Sequence, residues 1–271
     1  MEELTHNLNK FRWIKRIITL VIGLIIWYLP IPWDITPDAW HLFTIFITAI
    51  IGVLLEAVSI FTASIIALVA VVLLRVLPAE KAFSGFSESF ILLILAAFLV
   101  AKGIIKSGLG RRIAFLLIRR FGKSTLNLGY CLVVTDTIIG PSIPSNTARS
   151  GIMYPITHAL SLDTGSLPTP EGRKRTGTYL MMTYIAGQTI SSALWLTGMA
   201  ANPVGVGIAA KFGVNMNFGN WFLVASVPCL IALIAIPFVL YKLFPPENKY
   251  TPEAPEMARK GLLEMGPMRR Q

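Results

Sequence analysis

The sequence predicts an all-α polytopic membrane protein with about six transmembrane helices and one re-entrant helical hairpin. Of its 271 residues, 54% are hydrophobic and only 14% are charged, whereas soluble chains carry about 25% charged residues. About 20 apolar residues suffice to cross a bilayer, and four longer or comparable runs contain no Asp, Glu, Lys or Arg: 17–33, 57–74, 176–210 and 212–241. A soluble globular fold is therefore not expected.

The formal charge of +10 is concentrated in short segments between the apolar runs. Lys and Arg in such places orient membrane helices. The expected partner is therefore the lipid bilayer and not nucleic acid. Cys131 and Cys229 lie in apolar segments and are expected to be buried and unpaired. No removable signal is expected, and the chain reads as a multi-pass protein of a bacterial inner membrane.

The first hundred residues follow an alternating pattern of apolar runs and polar turns. Basic residues before the first run predict a cytoplasmic N-terminus over 1–16, and four transmembrane helices follow over 17–101. The segment 102–124 carries seven basic residues and no acid, with apolar residues between its two Arg pairs. This predicts a basic amphipathic helix lying along the inner interface, with an ordinary cytoplasmic loop as the alternative.

The next segment, 125–162, is bounded by cytoplasmic signals on both sides. Lys123 precedes it, and Arg173, Lys174 and Arg175 end the loop 163–175 that follows it, so the chain between them crosses the membrane an even number of times or not at all. Two full crossings take about 40 residues plus a turn. The shorter stretch is therefore predicted to be a re-entrant hairpin that turns around 140–147.

The last third contains one interrupted and one simple apolar run. Residues 176–210 are too long for one span and contain Gly198, Asn202 and Pro203, which predict a fifth transmembrane helix that is broken; such helices mark binding sites in secondary transporters. A sixth helix is predicted over 221–241. The rest, 242–271, is rich in proline and charge and is predicted to be a solvated cytoplasmic linker or tail.

Ser145, Asn146 and Thr147 are the candidate substrate ligands. They have the composition of a helix start, and a helix N-terminus inside the membrane presents free N–H groups to a carboxylate or phosphate. Their side chains add neutral donors, while carbonyls released by the nearby prolines are suited to a cation. One site can thus hold an anion and an ion.

Arg149 is the fourth candidate, since a guanidinium at membrane depth indicates function and its planar fork matches a carboxylate. Alternatively, Arg149 pairs with Asp136 or with helix-end carbonyls and only holds the hairpin. Asp136 is either a proton relay or a neutral structural residue. Asn202 either breaks the helix or coordinates a ligand. No catalytic motif is found, and the three His residues are too scattered for a metal site; neither enzymatic activity nor a cofactor is expected.

The string Gly-Pro-Ser-Ile-Pro-Ser-Asn-Thr-Ala-Arg over 140–149, the break at 198–203 and the basic interfacial helix resemble the N-terminal half of the divalent anion:sodium symporter family. The string is similar to the branch with 2-oxoglutarate/malate translocators and citrate/succinate or tartrate/succinate antiporters. The resemblance implies an elevator transporter, usually a homodimer, built from two inverted repeats. The second Ser-Asn-Thr hairpin is absent from this sequence.

The resemblance further implies that Ser145, Asn146 and Thr147 contact a substrate carboxylate. A first sodium site would use Ser145, Asn146 and the region of Gly198 and Asn202. Pro141 stands where sodium-coupled relatives tend to have a hydroxyl side chain, and Arg149 supplies a fixed charge. The leading prediction is therefore half of a di- or tricarboxylate exchanger, with a sodium symporter or a non-transporting membrane subunit as alternatives.

Overall fold

The computed structural model describes residues 2–32, 34–167, 169 and 176–267. These residues are helical apart from turns and one isolated β-bridge between Ser124 and Tyr250. The chain divides into two compact units, Met1–Glu88 and Ser89–Gln271. The all-α prediction is confirmed for the described residues.

The first unit is built from three long helices and a short one. They are α1 (Glu2–Tyr28), α2 (Pro37–Leu54), α3 (Ile60–Leu73) and α4 (Ala79–Phe83), followed by a 3-10 turn at Ser84–Ser87. Thr36 and Ser59 cap α2 and α3, accepting hydrogen bonds from the N–H groups of Ala39 and Thr62. The sequence predicted a separate cytoplasmic N-terminus over 1–16. In the structure α1 begins at Glu2, so this segment and the first predicted span form one continuous helix.

The described residues of the second unit form eight further α-helices. They are α5 (Ser89–Ser107), α6 (Leu109–Phe121), α7 (Thr125–Ile139), α8 (Asn146–Asp163), α9 (Thr176–Leu194), α10 (Ala201–Lys211), α11 (Phe218–Leu243) and α12 (Glu253–Glu264), with a 3-10 turn at Gly140–Ser142 after α7. Its core lies among α6, α7, α8, α9 and α12. Leu128, Leu132, Met153, Leu160 and Leu180 have no accessible surface there.

Three helices of the described residues are long and apolar enough to cross a membrane: Pro37–Leu54, Phe90–Ser107 and Phe218–Leu243. The apolar helix Ile60–Leu73 is shorter. Large apolar side chains cover the outer sides of α5 and α11, among them Leu92, Leu95, Leu99, Leu223, Val227, Ile231 and Ile234. Such surfaces are compatible with lipid and not with water, so the fold is that of a polytopic membrane protein.

The basic helix α6 is shorter than the predicted interval. Gly108 has a φ of 67° and separates α6 from α5, so that Lys102 and Lys106 belong to the last turns of α5. One side of α6 is buried and the Arg119–Arg120 pair is exposed. The predicted amphipathic helix is confirmed as a helix, and its position along the membrane stays a prediction.

The tail predicted over 242–271 is partly buried against the rest of its unit. Its first part returns to the start of α7, where the Thr125 N–H donates to the Lys249 carbonyl over 3.1 Å and the Thr251 N–H to the Lys123 carbonyl over 3.0 Å. Helix α12 then packs on α6 through its buried small residues, Ala254, Ala258 and Gly261. The prediction of a solvated tail is wrong for α12, because composition does not reveal that these residues share one side of a helix.

The predicted hairpin corresponds to α7 and α8. These helices have 15 and 18 residues, about 22 and 27 Å at the α-helical rise, whereas the hydrocarbon core is about 30 Å thick. Six residues, 140–145, connect them. The first arm is thus shorter than a full crossing, whereas the second arm has the length of the shortest candidate spans but is not apolar enough to be one of them.

Candidate substrate-binding site

The connection between α7 and α8 ends in a capped helix N-terminus. Ser145 is extended, and its Oγ accepts a hydrogen bond from the Ala148 N–H over 3.2 Å. The Arg149 N–H donates to the Ser145 carbonyl. The backbone N–H groups of Asn146 and Thr147 belong to the first turn of α8 and therefore have no acceptor within the helix. The predicted helix start is confirmed, and its positive end lies at the hairpin tip.

The Arg149 side chain binds oxygen atoms from four parts of the fold: α7, α8, α9 and the segment after α9. Its Nη1 donates to Asp136 Oδ2 on α7 over 2.9 Å and to Ser191 Oγ on α9 over 3.1 Å. Its Nη2 reaches oxygens of α8, α9 and the segment after α9: Asn146 Oδ1 at 2.8 Å, the Gly198 carbonyl at 3.3 Å, and Ser192 Oγ. The guanidinium therefore joins both arms of the hairpin to the end of α9.

Arg149 and Asp136 both have no accessible side-chain surface. The pairing that the sequence offered as an alternative is thus confirmed. Among the described residues, Arg149 Nε and Asp136 Oδ1 have no hydrogen-bond partner. Since both Nη atoms are occupied by protein oxygens, this arrangement leaves no Arg149 donor on the accessible surface for the bidentate carboxylate contact predicted from the sequence.

The Asn146 amide is oriented by its neighbours. Its Oδ1 accepts from Arg149 and lies 2.7 Å from Ser192 Oγ, and a guanidinium can only donate. The amide oxygen therefore faces inward and Nδ2 is the atom left for a ligand. Asn146 and Ser145 are half-buried, and Thr147 is exposed, so the Ser-Asn-Thr motif lies at the edge of the buried cluster.

The chain between α9 and α10 is interrupted where the sequence predicts a break, and that α9 spans the membrane stays a prediction. Asn202 Nδ2 donates to the carbonyls of Ser192 at 2.8 Å and Trp195 at 2.9 Å, which have lost their helical partners. An added Cβ at Gly198 would lie 2.6 Å from the Ser192 carbonyl oxygen. Asn202 and Gly198 thus stabilise the break, and the Gly198 carbonyl is directed at Arg149.

The hairpin tip and this break are joined by further hydrogen bonds. Thr197 Oγ1 donates to the Pro141 carbonyl over 2.6 Å, and Trp195 Nε1 to the Thr137 carbonyl over 2.9 Å. An added Cβ at Gly140 would lie 2.9 Å from Arg149 Nη1 and 3.1 Å from a Trp195 ring carbon. The two interrupted segments therefore form one packed cluster, and Pro141's carbonyl is already occupied.

The sequence reasoning missed the contribution of α9. Ser191 and Ser192 bind the guanidinium, while Gln188 Nε2 donates to the Asn146 carbonyl over 2.9 Å and to Tyr184 Oη over 2.8 Å. These residues recur at helical spacing within an otherwise apolar segment. That pattern of polar residues on one side of a membrane helix is the signal that would have identified them.

The amino-acid sequence is similar to a family of known proteins over most of its length. The family model described as "Sodium:sulfate symporter transmembrane region" matches residues 10–271. The chain is 43% identical to "Putative malate transporter YflS" of Bacillus subtilis (strain 168), over 94% of this chain and 54% of the relative. It is 40% identical to "Dicarboxylate transporter 2, chloroplastic" of Spinacia oleracea, over 94% of this chain and 46% of the relative.

A third relative is the "Citrate/succinate antiporter" of Escherichia coli (strain K12), with 33% identity over 94% of this chain and 57% of the relative. The chain spans about half the length of the curated relatives it matches. The similarity therefore covers nearly all of the chain and one part of each relative.

Proposed function

Because the chain belongs to the sodium:sulfate symporter family, we propose that it is the first half of a secondary active transporter for dicarboxylates and tricarboxylates. The names of its relatives include malate, dicarboxylate, citrate and succinate transport. The family and these relatives are transporters, and we assign no enzymatic activity. The substrate class proposed here covers 2-oxoglutarate, malate, succinate, citrate and tartrate.

The observation that carries the proposal is the set of donors at the tip of the hairpin. Asn146 and Thr147 are consecutive residues in the first turn of α8, the first half-buried and the second exposed, and their side chains and N–H groups offer hydrogen-bond donors at the edge of the buried cluster. The inward orientation of Asn146 Oδ1 removes its acceptor from this edge. A carboxylate only accepts hydrogen bonds, and the helix dipole adds a favourable potential. Ser145 supports this arrangement as the cap.

We further propose that transport runs as anion exchange. The oxygens of Asp136, Ser191, Ser192, Asn146 and Gly198 that surround Arg149 are of the kinds that otherwise coordinate a metal cation. A guanidinium held among them is a cation that cannot leave, so the site needs no sodium for that position. The name of the E. coli antiporter supports exchange.

Sodium symport is the second candidate, since the matching family model is described as a sodium:sulfate symporter. In that case Na⁺ would be the coupling ion, with Ser145, Asn146, Gly198 and Asn202 as its proposed ligands. The enclosed guanidinium and the engaged Gly198 carbonyl argue for the exchange mode instead.

For the topology we propose about six membrane spans with α7 and α8 as a re-entrant hairpin, the N-terminus in the cytoplasm and the bacterial inner membrane as the location. The short first arm and the second arm's absence from the apolar candidate spans support this. A second half of the transporter would supply the second hairpin and complete the substrate site. The complete molecule would be a homodimer working by an elevator movement, as the family resemblance implies.

The test uses proteoliposomes with a complete transporter that carries this chain as its first half. We expect labelled succinate, malate or citrate to be taken up only against an internal carboxylate, at a rate that does not change when external Na⁺ is replaced by choline. A rate that falls with Na⁺ removal would favour the symporter. Uptake by residues 1–271 alone would overturn the proposal that a second half completes the site.

A further inference from the structure

The side chain of Gln188 on α9 contacts the beginning of α8 at two points. Its Nε2 donates to the Asn146 carbonyl over 2.9 Å, and its Oε1 accepts from Ser150 Oγ over 3.0 Å. Asn146 and Ser150 are four residues apart and therefore lie one above the other on the same side of α8. Two contacts along one side of a helix fix both its position and its rotation, which a single contact does not.

The orientation of the Gln188 amide follows from its surroundings. A backbone carbonyl can only accept a hydrogen bond, so the Asn146 carbonyl requires the nitrogen of this amide and not its oxygen. Nε2 makes a second contact, to Tyr184 Oη over 2.8 Å. Gln188 and Tyr184 are 7% and 3% exposed, and a buried polar group that loses its partner is unfavourable. The hydrogen bonds therefore keep the amide in one position.

The Asn146 carbonyl belongs to the same planar peptide group as the Thr147 N–H. In a trans peptide these two groups point in opposite directions within one plane. The direction of the Thr147 N–H, which has no acceptor within α8, thus depends on where the Asn146 carbonyl is held. The hydrogen bond from Gln188 also polarises the peptide group, which makes its N–H a stronger donor.

The backbone of Gln188 has a different role from its side chain. Its carbonyl accepts from Ser191 Oγ over 3.1 Å and from Ser192 Oγ over 2.6 Å, and both hydroxyls bind Arg149. A side-chain substitution at position 188 keeps these backbone contacts and removes only the contacts of the amide. The side chain can therefore be tested without removing the oxygens around the guanidinium.

We propose that Gln188 is a positioning residue of the substrate site. Through the Asn146 carbonyl and Ser150 Oγ it holds the first turn of α8 against α9, so that the Thr147 N–H is directed at the substrate carboxylate. That the ligand is a carboxylate rests on the proposed function, whereas the fixed position of the helix start rests on the contacts of Gln188. Gln188 acts through these groups and not by touching the substrate.

The test uses the complete transporter that carries this chain as its first half. Gln188→Leu removes the amide at nearly the same volume, Ser150→Ala removes one of its two partners on α8, and a double variant combines both changes. Thr157→Val is the matched control, because the Thr157 hydroxyl is buried but donates within α8, to the Met153 carbonyl over 2.9 Å.

Each variant is characterised by three measurements. In proteoliposomes, succinate exchange gives the maximal rate and the half-saturating concentration. In detergent, thermal unfolding gives the melting temperature. Without substrate, hydrogen–deuterium exchange gives the deuterium uptake over 146–153, the first two turns of α8.

We expect Gln188→Leu to raise the half-saturating concentration by about three- to tenfold, the change that the loss of neutral hydrogen bonds produces, while the maximal rate stays within about twofold. Deuterium uptake over 146–153 should become faster. Ser150→Ala should have a smaller effect of the same kind, and it should add little to Gln188→Leu because both act through one contact. Thr157→Val should leave the half-saturating concentration unchanged.

An unchanged half-saturating concentration in Gln188→Leu, in a transporter that exchanges succinate, would overturn the positioning role and leave the proposed function standing. This includes the case of a purely structural residue, in which only the melting temperature and the maximal rate fall. If Gln188→Leu does not insert, a half-saturating concentration of Ser150→Ala equal to that of Thr157→Val would overturn the role.

A parent transporter that exchanges no carboxylate would overturn the proposed substrate class, and deuterium uptake would then decide on Gln188. Faster uptake over 146–153 in Gln188→Leu than in Thr157→Val would support the positioning of the helix start. Equal uptake in the two variants would overturn it.

Discussion

Arg149 on α8 and Asp136 on α7 form an enclosed ion pair, with 2.9 Å between Nη1 and Oδ2 and no accessible side-chain surface on either residue. Removing one partner of a buried pair leaves the other charge uncompensated, whereas removing both charges is often tolerated. This relationship allows the structural role of Arg149 to be tested separately from its proposed role as a fixed cation.

Arg149→Gln should lower the stability of the complete transporter by about 3 to 5 kcal/mol, because the Asp136 carboxylate remains buried without a counter-charge. The double variant Arg149→Gln with Asp136→Asn should recover most of the lost melting temperature in detergent but not exchange activity. Recovery of full activity in the double variant would show that exchange does not need the fixed positive charge of Arg149.

Asn146→Asp should weaken substrate binding while keeping the fold. The new carboxylate can still accept from Arg149 and Ser192, but it replaces the Nδ2 donor by an acceptor with negative charge. Hydrogen bonds to charged groups contribute about 1.5 to 3 kcal/mol, so the substrate concentration at half-maximal exchange should rise by about tenfold or more.

The matched control for this change is Asn217→Asp. Asn217 caps α11, where its Oδ1 accepts from the Asn220 N–H, and Asp is an equally good cap. Its exchange should equal that of the unchanged transporter. An Asn146→Asp variant that exchanged like this control would exclude Asn146 Nδ2 as a substrate donor.

Gly198→Ala should destabilise the transporter because the new Cβ would lie 2.6 Å from the backbone oxygen of Ser192. Overpacking of this kind costs about 1 to 3 kcal/mol. Gly205→Ala is the control, since Gly205 lies in α10 with open space around an added Cβ, and Ala favours the helix by up to about 1 kcal/mol. Melting temperatures in detergent should fall for Gly198→Ala and stay level or rise for Gly205→Ala.

Ala258→Glu should detach α12 from α6. Ala258 has no accessible surface, and a carboxylate placed there would be desolvated without a partner. Limited proteolysis should then cut within residues 244–267 faster than in the unchanged chain. Lys260→Glu places the same side chain on the exposed side of α12 and should leave the cutting rate unchanged; equal rates in both variants would mean that α12 does not depend on this contact.

The sequence determined the membrane class and the helical segments, and it pointed to the residues of the proposed site. Membrane segments lack charged residues because a charge in lipid is energetically unfavourable. This effect acts on each segment independently of the rest of the fold, so it can be recognised in the sequence. The helix start at Ser145 and the break around Gly198 were also predictable, because capping residues and glycine act through local backbone conformation.

Only the tertiary structure decided what these segments contact. The sequence left open whether Arg149 meets a substrate or Asp136, since thirteen residues of separation do not tell whether two side chains face each other. Ser191 and Ser192 join the cluster from α9, more than forty residues away, and α12 packs on α6 through three small residues that composition had assigned to a solvated tail. Contacts between distant segments depend on how whole helix faces pack, and no local pattern encodes which faces meet.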